Sequence, residues 1–98
     1  MIRVELPAHL RRLATISGDV KVAVDDPVTI AAVVSAIEAD YPVLRGTIRD
    51  SQTLRRRPYV RFYAAGLDLS HESGDHLVPD EVVAGSEPFI VLGAISGG

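Results

Sequence analysis

The chain has 98 residues with no cysteine, a net charge of −3, 47% hydrophobic and 23% charged residues. That length sets one domain with a single small core and little depth for a substrate pocket. The missing cysteine excludes a disulfide framework, a zinc-thiolate site and a thiol nucleophile within the chain. The acidic balance argues against general nucleic-acid binding.

Ile2, Val4 and Leu6 alternate with Arg3 and Glu5, the period of a half-buried strand, and Pro7 ends it. A linking stretch with His9, Arg11 and Arg12 closes at Ser17-Gly18, a turn signal. Val20, Val22 and Val24 alternate with Lys21 and Ala23, predicting a second strand antiparallel to the first. Asp25-Asp26-Pro27 stops it. Thr29 is placed to cap a helix in which Ile30, Val33, Val34, Ile37 and Tyr41 form the apolar stripe, with Ser35, Glu38 and Asp40 largely off it. Pro42 ends that helix.

Beyond it, one short helical turn is expected within Val43 to Asp50, with Leu44 and Ile48 facing inward, and a loop from Ser51 to Pro58. Tyr59 to Ala64 predicts a third strand, with Val60, Phe62 and Ala64 on one face and Tyr59, Arg61 and Tyr63 on the other. Ala65-Gly66 predicts a tight turn into a short strand around Leu67 to Leu69. Ser70 to Ser86 reads as a polar loop with an apolar island at Leu77 and Val78. Phe89 to Leu92 is the last strand. Two hairpin-like pairs around one helix predict an α+β domain over residues 1–92, with a tail over 93–98.

Arg45, Arg49, Arg55, Arg56, Arg57 and Arg61 crowd the middle of the chain. They read as a solvated basic loop or as a docking patch for an acidic partner. His71 and His76, with Glu72 and Asp75, have no spacing specific to a metal, and Ser70, Ser73 and His76 lack the surroundings of an activated nucleophile. No metal site and no catalytic constellation are expected. The start, MIRVELP, has no apolar run behind a basic segment, and no stretch is long and apolar enough to span a bilayer, so the expected address is the cytoplasm, without membrane contact.

The element order, the run Phe89-Ile90-Val91-Leu92-Gly93-Ala94-Ile95-Ser96-Gly97-Gly98, the helix opening at Thr29 with Tyr41-Pro42 and Leu44 after it, and the strand Val60 to Ala64 leading into a turn together resemble the ThiS/MoaD-like sulfur-carrier family. That family includes the thiamin-pathway carrier and the small subunit of molybdopterin synthase. The resemblance implies a ubiquitin-like β-grasp fold: a mixed four- to five-stranded sheet, one main helix across one face and a flexible diglycine tail. Two departures stand out. Gly85-Ser86-Glu87 replaces the family's Asp-Gly-Asp turn, and Gly93 replaces its proline before the tail.

The resemblance also implies the chemistry. The carboxylate of Gly98 would be adenylated by a separate E1-like enzyme that consumes ATP. Sulfur from a sulfurtransferase or another source would then convert it to a thiocarboxylate, to be handed to a biosynthetic enzyme. The chain would be a protein cosubstrate with no bound cofactor. Gly97, Ser96 and Ile95 would enter the partner, and the missing Cβ of Gly97 and Gly98 would let the end pass closely against other backbone. Six residues from Gly93 reach at most about 20 Å. Tyr63, Ile90, Leu92 and Arg61 would form the docking face on the open side of the sheet. Alternatives are a subunit of a molybdopterin-synthase-like complex and a ubiquitin-like protein modifier.

Overall fold

The alternation of Ile2, Val4 and Leu6 is realised in a computed structural model that describes residues 1–93. Strand β1 (Ile2–Glu5) buries every second side chain, and β2 (Val20–Val22) does the same. The two pair antiparallel, Ile2 opposite Val22 and Val4 opposite Val20. Helix α2 (Ile30–Asp40) buries Ile30, Val33, Val34 and Ile37, as its spacing predicts. Strands β3 (Val60–Ala64), β4 (Leu67–Asp68) and β5 (Phe89–Gly93) complete a five-stranded sheet in the order β2-β1-β5-β3-β4. Only β1 and β5 run parallel, side by side at the centre. The first and last strands are thus neighbours, with one antiparallel pair built out on each flank.

The Thr29 hydroxyl accepts the Ala32 N–H at 3.1 Å, satisfying one of the amides that a first helical turn leaves open. Replacing it, Thr29→Ala, is expected to cost about 1 kcal/mol. In a domain of this size that lowers the melting temperature by roughly 4–8 °C, read by thermal unfolding.

The buried residues of β1, β2, α2, β3 and β5 meet in one cluster around Phe89, Ile37, Leu44, Ile48 and Val4. Phe62 and Phe89 touch on neighbouring strands, ring centres 5.3 Å apart and planes tilted by 45°. A 3-10 turn at Pro42–Leu44 follows α2 and turns Leu44 into the core; Ile48 joins it, both fully buried. The Ala65-Gly66 turn has both residues at positive φ, 50° and 78°, the twist that joins two antiparallel strands tightly.

Several expectations change. The stretch around His9, Arg11 and Arg12 is a helix, α1 (Ala8–Ala14), entered through Pro7, and Leu10 anchors it to the core. Its end is closed by Thr15 at a φ of 56° and by the Ile16 N–H donating to the Arg11 carbonyl at 2.8 Å. The polar loop contains a second short helix, α3 (Asp80–Ala84), which buries Val82 and ends on Gly85 at a φ of 82°. In the apolar island only Val78 is buried, while Leu77 is 59% exposed. Strand β2 stops at Val22, two residues before Val24. No helix among the described residues is long and apolar enough to cross a membrane.

Candidate functional site

Because side chains alternate across a strand, the sheet face opposite the core is set by the same pattern that fills it. On β3, Val60, Phe62 and Ala64 are buried, so Arg61 and Tyr63 point to the open face; on β5, Phe89 and Val91 are buried, so Ile90 and Leu92 do. The antiparallel register places Tyr63 opposite Ile90 and Arg61 opposite Leu92. The four residues predicted for a docking face therefore form two adjacent cross-strand pairs. Leu92 is 47% exposed, and Ile90, Tyr63 and Arg61 are half-buried.

The row through Ile90 continues across the sheet. Glu5 on β1 lies beside Ile90, and Asp68 on β4 lies opposite Tyr63. An apolar centre is thereby flanked by a carboxylate on either side. Hydrogen bonding from Ser70, first by its hydroxyl and then by its amide, holds the Asp68 carboxyl below the ordinary carboxylate range, so it stays charged at neutral pH. Cations border the same face: Arg61 opposite Leu92, and Arg3 opposite Lys21, with Arg3 3.9 Å from Asp19.

Much of the basic stretch is tied into the fold. Arg49 is buried and donates to both carboxylate oxygens of Glu38, at 3.3 and 2.8 Å, and to the Ser35 hydroxyl at 2.9 Å. Glu38 is accordingly buried on α2 and not on its outer side. Arg56 donates to the carbonyls of Ser70, Arg57 and Val60. Arg57 donates to the Gly46 carbonyl and pairs with Asp50 at 3.4 Å. Four of these guanidiniums, Arg61 included through the Pro58 carbonyl, satisfy backbone or carboxylate acceptors; Arg45 and Arg55 are exposed.

His76 Nδ1 sits 3.1 Å from Glu72, and among the described residues no group of three or more metal-ligating side chains converges. Ser70 is buried with its hydroxyl accepting the Phe62 N–H at 2.9 Å, which makes it a spacer between strands. A cavity of about 60 Å³ beside α2, lined by Arg49, Phe62 and Ser70, has room for water.

Strand β5 ends at the side of the sheet where the tail begins. Gly93, assigned to the tail from the sequence, pairs opposite Val60 as the last residue of β5. Gly98, Gly97, Ser96 and Ile95 lie outside the described residues. One residue the sequence did not single out is at this exit. A Cβ built on Gly93 would stand 2.5 Å from Cε1 of His9. The imidazole packs over Gly93, and a side chain at this position would require the His9 ring to shift.

Sheet order, the parallel central pair and the helix over one face define the ubiquitin-like β-grasp fold. The same fold is found in SAMP1 of Haloferax volcanii, with a TM-score of 0.75 at 20% identity, covering 98% of this chain and 97% of that one. CysO of Mycobacterium tuberculosis superposes with a TM-score of 0.74 at 24% identity over 97% of this chain and all of that one. A chain of the Amycolatopsis orientalis BexX/CysO complex gives 0.76 at 15% identity, over the whole of both. No protein-family model matches the chain, and no curated protein sequence does.

Proposed function

We propose that this chain is a sulfur carrier, a protein cosubstrate that works through the carboxylate of Gly98. The observation that carries the reading is the continuity of the face with the tail: the Tyr63–Ile90 and Arg61–Leu92 pairs lie on the strand that leads through Gly93 towards Gly97-Gly98. A partner that grips the open face receives the tail directly. The likeness to a chain crystallised in the BexX/CysO complex supports a fold suited to such a partnership.

A carboxylate is a poor electrophile because its charge is delocalised and its leaving group would be oxide. An E1-like adenylating enzyme would join the Gly98 carboxylate to AMP and release pyrophosphate from ATP. Sulfide, or a persulfide from a sulfurtransferase, would then displace AMP; with a persulfide, a second thiol cleaves the acyl disulfide. The resulting thiocarboxylate is a tethered sulfur nucleophile for a biosynthetic enzyme. No cofactor is bound by the chain itself in this scheme, and its expected setting is the cytoplasm.

The test supplies the chain with an E1-like enzyme from the same genome, ATP, magnesium and sulfide, and follows the intact mass. The expected result is the mass gain of one oxygen-to-sulfur exchange at Gly98, and no gain after deletion of Gly98, with the folded spectrum of the domain unchanged. Sulfur uptake by the truncated chain overturns the reading, as does a native protein whose mature end is not Gly98. A second reading, protein modification, is favoured by the likeness to small archaeal modifier protein 1. It requires isopeptide adducts in lysate. Lys21, the only lysine, would be the sole side chain for building polymers.

A further inference from the structure

Arg49 and Arg56 face each other in an isolated antiparallel bridge at the base of the arm that joins the 3-10 turn to β3. Directly opposed residues carry their side chains on the same side, so two guanidiniums are brought together. Both line the cavity of about 60 Å³ beside α2, whose apolar wall is Ile30, Val34 and Phe62. Phe62 belongs to the buried face of β3, so the cavity lies on the helix side of the sheet, away from Arg61 and Tyr63. Leu54, Ser70 and Gly74 also border a wider recess of about 410 Å³, to which Arg55, His71 and Glu72 add charge. Leu54 is held at this mouth with a φ of 62°, a conformation that a bulky side chain seldom takes.

Neither charge nor hydrogen bonding is complete here. Arg49 commits Nε and Nη2 to Glu38 and Ser35, and Arg56 commits Nε and Nη1 to carbonyls. Among the described residues, Nη1 of Arg49 and Nη2 of Arg56 make no hydrogen bond, and neither is sealed from solvent. The Arg49 side chain is only 9% exposed, and the cavity is the opening it lines. Glu38 balances one of the two cations. Arg56 is half-buried and has no ion-pair partner among the described residues, which favours a counter-anion. The amides of Ile30, Ala31 and Ala32 already donate to His76, Gly74 and Thr29, so the donors on offer are the guanidiniums.

We propose that this cavity is an oxyanion site, in which Arg49 and Arg56 hold a phosphate- or sulfate-type group between their unpartnered N–H groups. Charge-assisted bonds from two guanidiniums suit an ion whose oxygens accept donors from several directions. The size agrees: at roughly 10–15 Å³ for each water-sized body, the cavity takes about four, the number of oxygens on such an ion. Arg55 at the recess assists. Glu72, whose carboxylate is 3.1 Å from His76 Nδ1, opposes. The recess leaves room for the body of an ester behind the anionic head. The inference does not depend on the carrier reading.

Arg49 and Arg56 also hold the fold together, so the test changes their exposed neighbours, Glu72 and Arg55. Inorganic phosphate is titrated into the isotope-labelled full chain, with sodium chloride keeping the ionic strength constant. NMR of the amides and arginine side-chain N–H groups is expected to show saturable shifts at Arg49, Arg56 and residues 70–74. Glu72→Gln removes the opposing carboxylate and lowers Kd about threefold, and Arg55→Gln raises it by about as much, the scale of exposed charge pairs. Arg3→Gln, on the open sheet face, leaves Kd unchanged. Parallel titrations with sulfate and glycerol phosphate separate a free ion from the head of an ester, which binds more tightly than phosphate where its body uses the recess. Shifts that grow without saturation overturn the inference, as does a Kd that neither Glu72→Gln nor Arg55→Gln moves in the stated direction. An equal effect of Arg3→Gln also overturns it, since the response would then be to net charge alone.

Discussion

Arg49→Met is expected to destabilise the domain by about 3–5 kcal/mol, the cost of leaving a buried carboxylate without its partner. At roughly 4–8 °C per kcal/mol, the melting temperature falls by more than about 12 °C. Glu38 and Arg49 are 9% and 8% exposed, and the guanidinium meets the carboxylate through Nε and Nη2 in a two-point contact. Ser35 takes a further N–H from the same nitrogen that bonds Oε1. The pair therefore fastens the arm between the 3-10 turn and β3 to the flank of α2. Methionine fills much of the space but offers no donor, so the Glu38 carboxylate is left without its partner. The double variant Arg49→Met with Glu38→Met removes both charges and should recover most of the loss, since a buried pair is often no more stable than apolar residues of similar volume. Urea unfolding of both proteins measures this. Equal instability of the single and double variants would mean that packing, not the stranded charge, sets the cost.

The Glu38–Arg49 pair also shows what the sequence hides. Strand and helix periods were readable because burial repeats every second or every third and fourth residue: Val60, Phe62 and Ala64 on β3, and Ile30, Val33, Val34 and Ile37 on α2, all reach the core. Glu38 sits one helical turn after Val34, at the margin of that stripe, and a charge there reads as solvated unless its partner is known. Six arginines within a short run likewise state a charge but not an acceptor. Carbonyls of Gly46, Ser70 and Val60 become available to them only once the arm has folded.

Helices α1 and α3 escaped for a different reason. With 7 and 5 residues, each buries a single side chain, Leu10 or Val82, so no period is displayed. Their markers were local: Pro7 and Pro79 before the first turn, and Gly85 after the last turn of α3. The open face was legible because alternation assigns it once the core face is known. The seat of His9 on Gly93 was not, because it depends on the first and last strands lying side by side, which no local pattern encodes.

Leu92→Asp is expected to weaken engagement of an activating enzyme by about 30-fold or more while leaving the fold intact. A central interface residue contributes on the order of 2 kcal/mol or more, which corresponds to that factor. Leu92 is 47% exposed, so its own burial adds little to the core. Its cross-strand partner is Arg61, and an opposite charge facing it across the strands is favourable for the sheet. The same change at Ile90 would be a poorer probe, because Glu5 lies beside it and a second carboxylate would strain the sheet itself. Leu77→Asp is the control: at 59% exposure it is equally apolar and accessible, but it bridges to Thr29 at the start of α2, away from the open face. In a titration of the chain against fixed activating enzyme and ATP, Leu92→Asp raises KM with kcat unchanged, and Leu77→Asp changes neither. Deletion of Gly98 behaves differently, since it leaves binding and removes the reacting group. A Leu92→Asp protein with the parent's KM would move the docking site off the β3–β5 face and separate the tail's chemistry from the surface that leads into it.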